Sequence, residues 1–365
     1  MNNIEIHKWG KINYCLDEGY YNKRVSPNLV LGNGASIALH SDFNYVSLYD
    51  KCIEKELFSS DIIQVFKELD TCDFEEVMLA YQHAILVNKA SGKEYNKIER
   101  SYNNIRQSLI EVIQEIHPIE MDKEELWRIG SFLTRFDWVF SLNYDLTLYW
   151  SMMEVNKRRR YEICDSFLDG KFNQNSFSCN TNVFYPHGSL LLSRNIYGDE
   201  QKIKANQDLG NNKTPLLDTI FKSWKDTNLP LFISEGSSKK KLQAIRRSPY
   251  LSTVYRYLSL GDQKNIVIYG MSFSDNDEHI LKGLLKSKIC KIAISVYTGI
   301  PSSEQQAFCH KVISKIQKYA GNRNIVPYLT LSKKHLREDW KEDDMDSIEI
   351  IFFDSQSQGC WNNEF

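Results

Sequence analysis

Four short clusters carry residue types that bind nucleotides or move protons: Gly32-Asn33-Gly34-Ala35-Ser36, Asn143-Tyr144-Asp145, His187-Gly188 and Gly270-Met271-Ser272 with Asp275 just beyond. Gly32 and Gly34 follow an apolar run and precede Ile37-Ala38-Leu39, which reads as a helix. Glycine lets a backbone turn tightly and approach a ligand, and the free N–H groups of a helix start favour a diphosphate. Gly32, Asn33, Gly34 and Ser36 are therefore predicted to cradle phosphate, although a tight strand-to-helix turn without a ligand has the same spacing. Asn143 follows a second apolar run, where an amide can hold a ribose hydroxyl or a water through both its donor and its acceptor. Asp145 would orient it or cap the next helix. His187 lies between Pro186 and Gly188, on a turn, and its ordinary pKa near 6.5 suits a general base. Gly270 would admit an adenosine, with Ser272 or Asp275 on its ribose, while Asp275 and Asp277 equally suit the start of a helix near His279.

The elements that must position these clusters are short and apolar. Residues 28–31, 138–142, 229–234 and 265–269 are dense in apolar side chains, lack clean alternation and end in polar or glycine residues, as buried parallel strands do. Residues 291–297 and 347–353 have the same character, which predicts a sheet of about six strands. Helical spacing over 242–258 and 304–319 gives the strand-helix alternation of a Rossmann-like α/β fold, a parallel sheet with helices on both faces. Residues 1–26 form an N-terminal extension, 27–42 and 136–365 the Rossmann-like domain, and 43–135 an inserted helical subdomain. Within the insertion, Asp73 with Glu76 and Asp122 with Glu125 have capping-box spacing. Ile98, Tyr102, Ile105, Leu109, Val112 and Ile116 form a helical stripe that Pro118 ends. That stripe fits an internal core or an oligomer interface. Residues 194–228, rich in Asn, Lys, Asp and Gly, read as a surface loop with one helix.

A net charge of -2 gives no reason to expect direct nucleic-acid binding. The basic runs 157–160 and 239–241 read as solvated helix faces, the second lying close enough to the predicted pocket to meet a phosphate. The eight cysteines include no C-x-x-C pair, so reduced thiols are expected, and with no leader-like or membrane-spanning run the reading is cytoplasmic.

Taken in order, the four clusters and Asp42-Phe43 resemble the SIR2-like family, whose sirtuins carry G-A-G-x-S, D-F-R, N-x-D, H-G and G-T-S. The resemblance spans about residues 27–277 and extends the pocket to Asp42. Asn44 replaces the arginine of D-F-R. Deacylase sirtuins carry two C-x-x-C pairs for zinc after H-G, whereas Cys290 is the first cysteine after Gly188, so no metal is expected. The arrangement is similar to the zinc-less SIR2-like NADases of bacterial anti-phage defence. That resemblance implies an NAD+ glycohydrolase, with NAD as substrate and no resident cofactor. Asn143 would hold ribose or water, His187 would act as base, Asp145 would orient them, and Gly32, Gly34 and Ser36 would hold the diphosphate. It further implies a homo-oligomer, some relatives working with a HerA-type ATPase ring encoded separately. The alternatives are a binding module for NAD or ADP-ribose, and a protein deacylase or ADP-ribosyltransferase.

Overall fold

The computed structural model describes residues 3–16, 18–20, 23–40, 48–158, 161–174, 179–204, 215–226, 228–233, 236–261, 264–327 and 347–364. Its centre is a nine-stranded sheet. From one edge the strands are Ile6–His7, Ser347–Asp354, Lys291–Val296, Asn265–Tyr269, Asn28–Leu31, Trp138–Ser141, Thr181–Phe184 and Ile163–Cys164, with Asn324–Pro327 also pairing the second. Every pair is parallel. Parallel strands bury both faces, which is why Asn28–Leu31, Asn265–Tyr269 and Lys291–Val296 are buried throughout. Helices pack around the sheet, giving the α/β Rossmann-like class that the strand-helix alternation predicts.

Two predicted elements and the expected state of the cysteines differ. The run at 229–234 forms Leu229–Phe232, but it lies outside the main sheet. It pairs antiparallel with Gly188–Arg194, which also pairs Glu200–Lys202. A fully buried run looks alike in either setting, because periodicity reports burial and not direction. Thr181–Phe184 takes the predicted place in the parallel sheet. The predicted helix over 242–258 is two helices, Ser238–Arg247 and Pro249–Leu260, since Pro249 cannot donate to the preceding turn and starts the second. Cys164 and Cys179 form a disulfide, contrary to the expectation of reduced thiols throughout; their Cα atoms come within 5.9 Å because strands 163–164 and 181–184 pair. No spacing motif announces such a bridge.

The interval after residue 47 is helical: Leu48–Glu54, Ser60–Glu68, Phe74–Ala90, Asn96–Ile116 and Lys123–Leu133. Asp73 accepts from Glu75 N, and Asp122 from Glu124 N and Glu125 N, as caps do. Tyr102, Ile105, Leu109, Val112 and Ile116 are buried within the chain, against Trp224 and Phe232 among others, so the stripe is internal core. The last helix instead joins the core of the main sheet through Ile129, Phe132 and Leu133. No helix among the described residues is long and apolar enough to cross a membrane.

Burial raises Asp73 to about 7 and Glu75 to about 8, the facing charges being Glu76, Glu200, Arg194 and Arg247. The folded chain therefore holds protons that the unfolded chain releases near pH 4, and stability falls as pH rises from about 4 to about 8. Asp73→Asn keeps a good cap without the ionisation. It is expected to flatten that decline in melting temperature measured across the range. An unchanged slope would show that Asp73 does not titrate with folding.

Candidate active site

The chain leaves Asn28–Leu31 toward Trp138–Ser141 on one side and later returns to Asn265–Tyr269 on the other. The carboxyl ends of strands 28–31 and 265–269 thus flank the topological switch point, where open α/β sheets leave a crevice. Their register places Leu31 beside Tyr269, so Gly32 and Gly270 emerge side by side. A cavity of about 930 Å³ opens there, lined by Gly32, Asn33, Gly34, Asn143, His187, Gly270 and Ser272 among others. That volume is at the upper end for small-molecule sites.

The glycines act differently from the expected cradle. Gly32 N donates to Tyr269 O at 2.8 Å, Gly34 N to Gly270 O at 2.7 Å, Ala35 N to Gly32 O and Ser36 N to Asn33 O, each at 3.0 Å. These amides are satisfied within the chain, and the helix they open, Gly34–Ile37, is only four residues long. What requires glycine is the close approach of two loops. A Cβ on Gly32 would sit 2.7 Å from Gly270 O, and one on Gly270, at φ +69°, 2.4 Å from Ala35 N. Sequence reasoning placed the turn but could not see that the N–H groups of Gly32 and Gly34 face the neighbouring loop. Asn33 Oδ1, by contrast, is buried without a partner.

Asn143 is set by a chain of hydrogen bonds. Its Nδ2 donates to Gly32 O at 3.0 Å and Ser36 Oγ at 2.8 Å. Ser36 Oγ in turn donates to Asp145 Oδ2 at 2.6 Å. Asp145 Oδ1 accepts from Thr147 N at 2.9 Å, at the start of helix Thr147–Arg158. Asp145 therefore both caps and orients, and both it and Ser36 are buried below the cavity wall, so Ser36 is a positioning group and not a cavity-lining one. With both amide hydrogens used, Asn143 offers Oδ1 as an acceptor to the cavity.

His187 sits on the turn between Thr181–Phe184 and Gly188–Arg194, as predicted, and is 2% exposed. Its Nε2 lies 2.9 Å from Nε2 of His279. Burial and then the Lys241 ammonium hold His187 well below the ordinary histidine value; burial also lowers His279, to about 4 against the pull of Asp277. Both shifts favour the neutral imidazole. Lys241, 7% exposed, bonds Asp277 Oδ1 at 2.8 Å. Burial raises the Asp277 carboxyl, but the Lys241 ammonium, joined by the imidazoles when they are protonated, outweighs it and leaves the group below the usual range.

Sequence reasoning thus missed three participants. Lys241 belongs to a basic run read as a solvated face; its buried, inward side chain was hinted at only by the nearness of the run to the pocket. Asp277 makes no cap hydrogen bond and serves Lys241 instead. His279, on helix Glu278–Leu284, meets His187 only through the fold. The C-terminal segment also closes the cavity with Asn362 and Asn363, held by Trp361 Nε1 donating to Ala35 O at 2.9 Å. Asp275 does not line the cavity; it is exposed and paired with Lys315. Asp42 lies outside the described residues.

The model of the DUF4917 family, a domain of unknown function, matches residues 29–361. No curated protein matches the chain. Among solved structures, a Sir2 homologue mutant in complex with 2'-O-acetyl ADP ribose overlaps with TM-score 0.34 and 13% identity, covering 85% of this chain and 97% of that one. A structure titled for the mechanism and regulation of Sir2 enzymes gives 0.32 and 12%, covering 84% and 96%. At such loose superposition, function has to be read from the site's own residues.

Proposed function

This chain belongs to the DUF4917 family, and on that footing we propose that it is an NAD+ glycohydrolase, releasing nicotinamide and ADP-ribose. The observation that carries the reading is Asn143, whose locked amide leaves Oδ1 as its acceptor in a cavity that His187 also lines, the His187 ring meeting His279 at 2.9 Å. Hydrolysis breaks the bond between nicotinamide nitrogen and ribose carbon, and the bonding pair leaves on nitrogen, quenching the pyridinium charge. Water adds to the oxocarbenium-like carbon and gives up one proton. Asn143 Oδ1 accepts from that water or from a ribose hydroxyl and so fixes its position. A neutral imidazole is the form that can accept the proton, and the facing Nε2 atoms of the pair take it between them. Asn33 Oδ1 supplies a further buried acceptor for a ligand N–H or hydroxyl.

Purified chain incubated with NAD is expected to release nicotinamide and ADP-ribose in equal amounts, and His187→Ala to lose that activity by about 100-fold or more. NAD binding without release would favour the binding-module reading. Release only with an acyl-lysine peptide would favour a deacylase. The wider role implied by the SIR2-like resemblance, NAD depletion in anti-phage defence by a homo-oligomer with a HerA-type ATPase, would act through the same chemistry. Its check is the NAD content of infected cells with and without the partner.

A further inference from the structure

The contact between His187 and His279 makes a second demand on the site. The Leu142 carbonyl accepts a hydrogen bond from the His187 ring, and with Nε2 turned to His279 the donor is Nδ1. The Asn276 carbonyl accepts from the His279 ring, whose Nδ1 also lies 3.2 Å from Ser238 Oγ. A ring that gives its Nδ1 proton to a carbonyl presents a lone pair at Nε2. The two Nε2 atoms lie 2.9 Å apart, so in that form both lone pairs can meet one cation. The Asp277 carboxylate converges on the same point, the three donor atoms all lying within 4.8 Å of one another. Lys241 bonds only its Oδ1, leaving Oδ2. Two imidazoles fixed through Nδ1–H to carbonyls, plus one carboxylate, are the donor set and the outer hydrogen bonds by which proteins hold catalytic zinc.

We propose that His187, His279 and Asp277 bind one divalent transition-metal ion of the zinc class, its fourth position open to the cavity. Bound there, the ion occupies the His187 lone pair that accepts the proton in hydrolysis, so metal and turnover exclude each other. This second part rests on the glycohydrolase reading; the site itself does not. The nearby ammonium of Lys241 opposes the incoming charge and makes the ion exchangeable. The absence of C-x-x-C pairs excluded a structural zinc module but is silent on such a site, whose donors lie on one turn and, 92 residues later, at the start of a helix.

The test uses the whole chain, freed of metal with a chelator, and titrated with Co2+ alone and then with Zn2+. One equivalent of cobalt is expected to give the intense visible bands of a four- or five-coordinate site, and zinc to remove them. His279→Gln and Asp277→Asn, each checked for native circular dichroism, are expected to weaken binding by about tenfold or more. No cobalt bands with the unaltered chain, or equal binding by the chain and both variants, would overturn the site. Saturating zinc is expected to suppress nicotinamide release, with recovery on chelation; undiminished release would overturn the exclusion and leave the binding result standing. A chain that binds cobalt as described but never releases nicotinamide would count against the glycohydrolase reading alone.

Discussion

An Asn143→Ala chain is expected to release nicotinamide about 100- to 1000-fold more slowly than the unaltered chain, with a smaller change in KM. The expectation follows from what holds the side chain. Gly32 O and Ser36 Oγ take both amide hydrogens, and Asp145, fixed by Thr147 N, takes the Ser36 hydroxyl. The orientation of Oδ1 is thus decided before any ligand enters, and a preset dipole needs no reorganisation as charge develops on the ribose. Ser36→Ala removes one link and leaves the acceptor present but free to turn, so an intermediate loss is expected. Steady-state kinetics on the two variants checks the order. An Asn143→Ala chain of unchanged rate would remove this residue from the mechanism.

Gly270→Ala is expected to cost about 2 to 5 kcal/mol in denaturant unfolding and to close the cavity. Its backbone is at φ +69°, where a side chain is strained, and the added Cβ would meet Ala35 N at 2.4 Å and Gly34 C at 2.7 Å. Those are backbone atoms, so no rotamer change relieves them. Gly321→Ala is the control: φ is +67°, but nothing lies within 4 Å of the added Cβ. It should lose only the conformational part, about 1 to 2 kcal/mol. Equal losses at the two positions would mean that the loops can part, and that close approach is not what demands glycine at 270.

Much of this site is legible before folding because its signals are local. A buried run ending in Gly-Asn-Gly or in Ser-Leu-Asn marks a strand end, and Pro-His-Gly marks a turn. These properties belong to a few consecutive residues, so neighbours alone place Gly32, Asn143 and Gly270 at strand ends and His187 on a turn, and the SIR2-like resemblance joins them in one site. Caps behave likewise, as Asp73 and Asp122 show. At Asp275 the local signal is ambiguous: a hydroxyl and carboxylate cluster after a strand can turn to the ligand or to solvent, and here the carboxylate turns to Lys315.

By itself, the sequence determined the strand-helix alternation, the turns that carry Asn143 and His187, and the helical insertion, because apolar period, caps and breakers act within about one element's length. Only the tertiary structure decided that Leu229–Phe232 pairs antiparallel outside the main sheet, that Lys241 turns inward to Asp277, and that His279 meets His187. It also decided that the glycine amides bind the neighbouring loop and not the cavity. Each of these is a choice of partner between residues far apart in the chain. Such choices follow from which strands become neighbours and which atoms are left to satisfy one another once water is excluded.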